Sequence, residues 1–308
     1  VEVIFGLNKV LIGKKSVLTV GTFDGIHLGH RAIIKELMAV AKKNDLTSSL
    51  LTFEPHPKTV VQDSPHRVKL LTTLEEKLQI LQDIGLERAI VAKFTREFSQ
   101  MNYKNFVEEI LLQKLGAACI IIGYDHSFGK NRAGNFRELE NLSNIYSFKL
   151  KEVGPFKIGN QTVSSTRIRT YIDEGNIESA NKMLGHYYSI DGIVIKGEGR
   201  GHHLSFPTAN LMIENQNKLT PKEGVYVVQC NVLGKNYRGM ANIGYKPTFG
   251  GVNRTIEVHI FDFSDDIYGE KITIRFIQRL RDEIKFSSEE QLIKQLNLDK
   301  KNSNKIKV

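Results

Sequence analysis

No stretch of this 308-residue sequence stays apolar for the roughly 18 residues that a membrane span requires. The first residues, Val1 to Val10, show no basic start, apolar middle and small-residue cleavage site, so export has no support there and a cytoplasmic protein is expected. Cysteine is scarce. The two that occur, in Ala118-Cys119-Ile120-Ile121-Ile122 and Val227-Val228-Gln229-Cys230-Asn231-Val232, sit in strand-like runs in different halves and read as buried structural thiols. There is no internal repeat. The formal charge of +9 invites a nucleic-acid reading. Most of the excess is spread thinly, and part lies in the tail Lys300, Lys301, Lys305 and Lys307, a frayed, solvated end. With no recognition motif, stacking stripe or concentrated basic helix, neither nucleic acid nor membrane is expected as a partner.

What is present is the composition of a globular protein, 41% hydrophobic and 25% charged, in a chain about twice the usual length of one domain. Two domains are expected. From Val17 onward, short β-rich runs alternate with amphipathic helices, the pattern of βαβ units on a parallel sheet. Strands are predicted at Ser16–Phe23, Leu50–Phe53, Ala89–Phe94 and Cys119–Ile122, and helices at Arg31–Lys43, Leu74–Ile84 and Asn105–Leu115. Helical segments from Ser165 or Thr166 to Ile172 and at Ile177–Leu184 close this half. The character changes near Gly185. Beyond it, Tyr188–Lys196, Gly224–Leu233, Asn236–Ile243, Thr255–Phe261 and Lys271–Phe276 are spaced like a small antiparallel barrel, and Ser288–Leu296 reads as a final helix. The expected divisions are therefore 1–184, 185–298 and a basic polar tail, 299–308.

Ligands of open parallel sheets sit beyond the carboxyl ends of strands. The loop after Phe23, Glu54-Pro55-His56-Pro57 after Phe53, and Gly123 to Gly129 after Ile122 all fall there. In the first, Gly21-Thr22-Phe23-Asp24-Gly25-Ile26-His27-Leu28-Gly29-His30, two histidines three positions apart open a helix, so both rings can point to one side of its first turn. The amides and dipole end of that turn favour phosphate, and Gly21, Gly25 and Gly29 permit close backbone approach. A second string, Val163-Ser164-Ser165-Thr166-Arg167-Ile168-Arg169, puts hydroxyls at the mouth of a helix beside fixed positive charges; by itself it is equally an ordinary helix cap. The pairing of the two strings points to binding of a nucleoside triphosphate.

Together they resemble the bacterial bifunctional riboflavin kinase and FMN adenylyltransferase family, the flavin-cofactor synthases. Gly21 to His30, Thr52-Phe53-Glu54-Pro55-His56-Pro57, Gly123-Tyr124-Asp125, Phe128-Gly129 and Ser164-Ser165-Thr166-Arg167 match its first half. Phe206-Pro207-Thr208-Ala209-Asn210, Gly224-Val225-Tyr226, Asn242-Ile243-Gly244, Pro247-Thr248-Phe249 and Ile256-Glu257-Val258-His259 carry the match through nearly the whole chain. The resemblance implies an α/β nucleotidyltransferase domain that moves AMP from ATP to FMN, giving FAD and pyrophosphate. It places His27, His30 and Arg167 in catalysis and Gly21, Phe23, Asp24, Gly29, Ser164, Ser165 and Thr166 on ATP. Pro55, His56, Pro57, Asp125 and Phe128 go to FMN or nucleotide. A phosphate monoester has its second pKa near about 6, so FMN is a ready nucleophile at neutral pH without a general base. His126 stands where the family usually has an aromatic residue, and packing against flavin or base is expected to differ there.

For the second domain the resemblance implies a riboflavin kinase, in which a ribityl alcohol must lose a proton as it attacks the γ-phosphate. Alternation puts Glu257, His259 and Phe261 on one strand face, and Glu257 occupies the position of the family's base. Thr208 and Asn210 match its Mg2+-ATP ligands, with Gly201 and Pro207 in the same phosphate-binding stretch. Arg281, in Arg279-Leu280-Arg281-Asp282-Glu283, matches a stretch near flavin; a solvated charge run is the plain alternative. The substrates implied are ATP, FMN and riboflavin. Two positions depart from the family's phosphate loop. His202 replaces a permanently charged arginine, and Ser205 replaces a glycine; if that glycine is left-handed or lies against ATP, the added Cβ costs about 1–2 kcal/mol in backbone alone. Falling wholly on the reactive complex, that is roughly 5- to 30-fold in rate. Two outcomes stand side by side: a two-step flavin enzyme, with Arg200, Gly197 and Gly199 compensating, or an adenylyltransferase whose second domain only binds flavin or regulates.

Overall fold

The computed structural model describes residues 1–10, 13–61, 68–197, 206–248 and 251–307, without the side chains of 246–248 and 251–253. Gly199, Arg200, Gly201, His202, Ser205 and Phe249 therefore lie outside the described residues. Contacts divide the chain into two compact units, Val1–Ser165 and Thr166–Val308.

In the first unit, strands β1 (Glu2–Phe5), β2 (Ser16–Val20), β3 (Thr47–Glu54), β4 (Arg88–Lys93), β5 (Ala117–Gly123) and β6 (Lys149–Val153) form one sheet in the order β1-β4-β3-β2-β5-β6, with every pairing parallel. The intervening helices are α1 (Leu28–Asn44), α2 (Pro57–Val61), α3 (Leu74–Ile84), α4 (Arg96–Ser99), α5 (Tyr103–Asn105) and α6 (Phe136–Tyr146). Helix α5 runs on into π-helical turns over Phe106–Lys114. Strand alternation splits the core between the two sheet faces. Val17, Leu50, Ala89, Cys119 and Ile121 pack with Ile34, Leu37 and Ala41 of α1 and Leu81 of α3. Leu18, Leu51, Ile90, Ile120 and Ile122 pack with Phe106, Ile110, Leu139 and Leu142 on the other side. Cys119 and Cys230 are both free and buried.

Sequence periodicity does not find β1, α6 or β6. The two strands are the sheet's edges, and β6, Lys149-Leu150-Lys151-Glu152-Val153, carries charges of the kind that keep an edge from pairing further. A short hairpin, β7 (Lys157–Ile158) and β8 (Gln161–Thr162), follows. The chain moves from β2 through β3 to β4 on one side, then resumes beside β2 with β5. The strand order thus reverses between β2 and β5, which places the crevice of this sheet between the loops that follow them.

Helix α7 (Ser165–Glu174) starts on the last residue of the first unit and leads into α8 (Ile177–Leu184). Strands β9 (Tyr188–Ile195), β10 (Ala209–Met212), β11 (Gly224–Val232), β12 (Lys235–Thr248), β13 (Gly251–Ile260) and β14 (Lys271–Arg281) close into an antiparallel barrel ordered β10-β13-β12-β11-β14-β9. Helix α8 packs on β14 and β9: Asn181 donates to the Phe276 carbonyl at 2.9 Å and accepts from the Tyr188 amide at 2.7 Å. The closing helix, α9 (Glu289–Lys305), extends nine residues past the predicted end at Leu296. The reason is tertiary. Asp299 is 2% exposed and takes a bidentate bond from Arg281 on β14, while Arg238 on β12 donates to the Ser303 carbonyl at 2.6 Å. Residues that read as a solvated tail are held against the barrel by partners far away in sequence.

Candidate active sites

The loop between β2 and α1 contains two non-glycine residues with left-handed backbone, Phe23 (φ 46°) and Ile26 (φ 35°), flanking Asp24 and Gly25. Such conformations persist only when the surroundings hold them. Phe23 is 3% exposed and Ile26 fully buried, so both side chains are plugs in the α1-facing core. Between them, the Asp24 carboxylate accepts from the amides of Leu71 (3.0 Å) and Thr72 (2.9 Å), and the Gly25 amide donates to the Thr72 hydroxyl at 3.0 Å. Asp24 is therefore turned inward, onto the segment that leads into α3. Ser165 donates its hydroxyl to the Asp24 carbonyl at 2.9 Å, which brings the second predicted string to the first.

Behind this loop lies Lys77, 5% exposed, with its ammonium 3.3 Å from the Thr52 hydroxyl. Burial pulls its pKa down against the opposing pull of Asp24 and Glu54, and burial pushes Glu54 up. Sequence reasoning singles out neither Lys77 nor Thr72, although Thr73 and Glu76 form the capping box that fixes this helix start.

His27 is the N-cap of α1. Its Nδ1 accepts the His30 amide at 3.3 Å, and the two rings stack with centroids 3.6 Å apart and planes 13° from parallel. The other face of the cluster is Phe23, 5.0 Å from the His30 ring. The glycines leave room for these rings. A Cβ at Gly29 would meet the His27 ring at 3.2 Å, and one at Gly21 would meet the Phe23 ring at 3.1 Å. The predicted residues Gly21, Phe23, Asp24, His27, Gly29, His30 and Ser165 thus form one continuous assembly at the carboxyl end of β2. Ser164 precedes it in the chain. Thr166 and Arg167 follow in the first turn of α7 and belong by packing to the second unit.

After β3, His56 is nearly buried and caps α2, with Nδ1 accepting the Lys58 amide at 3.2 Å; Pro57 is the first residue of that helix, and Pro55 precedes His56. After β5, Tyr124 and Asp125 are exposed, and His126 lies nearly parallel to Phe128 at 5.6 Å. Phe128 in turn meets Phe106, and the rings continue inward through Phe98 to Phe53. Desolvation, with the Arg132 guanidinium adding to it, pushes the His126 pKa down to about 4.

In the barrel, Glu257 on β13 is half-buried, and its cross-strand neighbours are Asn210 on β10 and Asn242 on β12. Residues paired in register share a face, so the two amides flank the carboxylate. The amide of Asn210 lies over the bare α-carbon of Gly197, a space that any Cβ would fill. Asn242 donates to Glu283 at 3.2 Å. Pro207 and Thr208 lead directly into β10. Arg281, expected near flavin, is committed to Asp299 through contacts of 2.7–3.1 Å; a sequence cannot show this partner because it lies on the unpredicted part of α9. Among the described residues, no group of three or more His, Cys, Asp or Glu side chains is arranged to hold a metal. Magnesium held mainly by phosphates needs only one or two protein oxygens, and the Thr208 hydroxyl and Asn210 amide oxygen are of that hard type.

Residues 11–167 match the family model described as FAD synthetase, and residues 184–307 the one described as riboflavin kinase. The bifunctional riboflavin kinase/FMN adenylyltransferase of Listeria monocytogenes is 39% identical over 93% of this chain and 91% of its own. The Escherichia coli K12 protein of the same name is 35% identical over 92% of this chain and 90% of its own. A crystal structure described as a macrolide-efflux protein from Streptococcus pneumoniae superposes over 100% of both chains with a TM-score of 0.91 at 31% identity. With one model covering each half and relatives spanning both, the chain belongs to the bifunctional riboflavin kinase/FMN adenylyltransferase family.

Proposed function

We propose that this chain makes FAD from riboflavin in two ATP-dependent steps, the first in the barrel and the second at the parallel sheet. The stacked His27–His30 pair, at the mouth of a parallel sheet where the strand order reverses, carries the reading. In the adenylyl step an FMN phosphate oxygen attacks the α-phosphorus of ATP, the α–β phosphoanhydride bond breaks, and pyrophosphate leaves. The first-turn amides of α1 and the two histidines, with Arg167, bind the triphosphate and stabilise charge as it develops on the α-phosphate and the leaving group. Gly21 and Gly29 give the rings their places, Asp24 fixes the loop, and Ser164, Ser165 and Thr166 complete the ATP site. Pro55, His56, Pro57, Asp125 and Phe128 hold FMN or the nucleotide.

In the kinase step the terminal ribityl hydroxyl attacks the γ-phosphorus of ATP, its proton passes to Glu257, and ADP leaves. Thr208 and Asn210 would hold Mg2+, which when bound neutralises phosphate charge in the transition state. Gly201 and Pro207 belong to the ATP-binding stretch, and Arg281 shapes the flavin side through its tie to Asp299. The functional boundary is placed near Gly185, and the cytoplasm, where ATP is made available, is the proposed location. The test is the fate of label: radioactivity from α-labelled ATP enters FAD, and from γ-labelled ATP enters FMN formed from riboflavin. Label from neither in the flavin products would refute the reading.

A further inference from the structure

Two positions beyond Glu257 on β13 stands His259, to which the kinase step as proposed assigns no role. Alternation puts both on one face of the strand. Their surroundings differ. His259 is 8% exposed, lying 5.0 Å from the ring of Phe206 and 5.4 Å from that of Phe261. Its Nδ1 is 2.8 Å from the Pro207 carbonyl oxygen, and since a carbonyl only accepts, the ring donates Nδ1–H there.

The position of this bond is informative. The β10–β13 ladder pairs Leu211 with Ile256, Asn210 with Glu257 and Ala209 with Val258. One step further, Thr208 falls opposite His259. Pro207 has no N–H, so the strand cannot be continued through it in the ordinary way. The His259 side chain supplies from β13 the donor that secures the Pro207 carbonyl. Thr208 is thereby held between this clamp on one side and the ladder on the other. The clamp is backed in turn by α9, whose Leu296 packs on the cluster of Phe206, Met240 and Phe261.

We propose that His259 is a positioning residue for the kinase step: its bond to Pro207 sets Thr208 and Asn210 in register with Glu257, so one strand aligns both the base and the magnesium ligands. The proposal rests on the reading of the barrel as the unit that phosphorylates riboflavin. It gives the His in Ile256-Glu257-Val258-His259 a role distinct from that of the carboxylate.

The test compares His259→Phe, which fills the space between the same rings without the donor, with His259→Asn, whose amide nitrogen falls close to where Nδ1 was. Two readouts are taken on the full chain: amide hydrogen exchange of Thr208 to Leu211, and the Mg2+ concentration giving half-maximal FMN formation at fixed ATP. In His259→Phe, exchange of these amides quickens roughly 3- to 10-fold, the equivalent of one net hydrogen bond. The Mg2+ requirement rises by a similar factor, FAD formation from FMN is unchanged, and His259→Asn restores most of both losses. Unchanged exchange and Mg2+ dependence in His259→Phe would overturn the proposal. If that variant loosens β11 and β12 as well, His259→Asn decides: near-native values support the clamp, and equal loss overturns it. If the unsubstituted chain forms no FMN from riboflavin, the kinase reading fails separately, and exchange at Thr208 to Leu211 alone judges the clamp.

Discussion

The Nδ1 atom of His27 accepts the backbone N–H of His30, so the first histidine caps the helix that carries the second and brings the two rings into a stack 3.6 Å apart. Capping and ring placement are inseparable here. His30→Ala removes one ring without the cap, and FAD synthesis falls by at least about 100-fold, as when a preorganised stabilising donor is lost. His27→Ala also costs about 1 kcal/mol of stability, which His27→Asn largely restores because asparagine caps well. Steady-state FAD formation and thermal melts of the three variants check this; normal turnover by His30→Ala removes that residue from the mechanism.

The His126 ring has its pKa pushed from 6.5 down to about 4 by desolvation and by Arg132. Between those values the unfolded chain binds the extra proton and the native state does not, so stability falls as pH drops from about 6.5 towards 4 and is full above that window. The ring is partly open to water, so the effect is modest. His126→Phe keeps an aromatic ring against Phe128 and flattens this dependence for the first unit. Melting temperature against pH for both chains is the check, and identical slopes contradict it.

Arg281 and Asp299 form an ion pair in which the carboxylate is buried and the guanidinium mostly so. Asp299→Ala leaves the mostly buried Arg281 guanidinium without its carboxylate partner, and the barrel unit loses about 3 kcal/mol. Urea unfolding followed by tyrosine fluorescence measures the change; a loss below about 0.5 kcal/mol would return 299–305 to the status of a solvated end.

The departures at His202 and Ser205 are expected to bear on the proposed kinase step and not on FAD formation. His202→Arg combined with Ser205→Gly raises the rate of riboflavin phosphorylation, up to roughly 30-fold, and leaves FAD formation from FMN nearly untouched. No gain in kinase rate contradicts the account of that loop.

Much of the fold is legible in the sequence because its cues are local. Ile34, Leu37 and Ala41 repeat at helical spacing, and the apolar runs around Cys119 and Cys230 are central strands. The glycines and histidines after β2 mark, for the same reason, a loop whose residues the structure packs together. What periodicity and motif miss depends on partners distant in sequence. Nothing near Asp24 in the sequence shows that the amides of Leu71 and Thr72 donate to its carboxylate. Buried Lys77 reads as any helix lysine until Thr52 and Asp24 surround it. The lysine-rich end of α9 gives no apolar stripe, and only Arg281 and Arg238 explain why it is held. Strand β10 is short and follows a proline, so its place in the barrel is set by β13 and β9 rather than by its own sequence.

The central claim is that two chemistries reside on separate units, one at His27 and His30 and one at Glu257. It is tested most directly by chromatography of flavin products from His30→Ala and Glu257→Gln chains, each given Mg-ATP with riboflavin or with FMN. His30→Ala should accumulate FMN from riboflavin and yield almost no FAD, while Glu257→Gln should turn FMN into FAD at the normal rate and leave riboflavin unphosphorylated. FAD formation undiminished in His30→Ala, or riboflavin phosphorylation undiminished in Glu257→Gln, would contradict it.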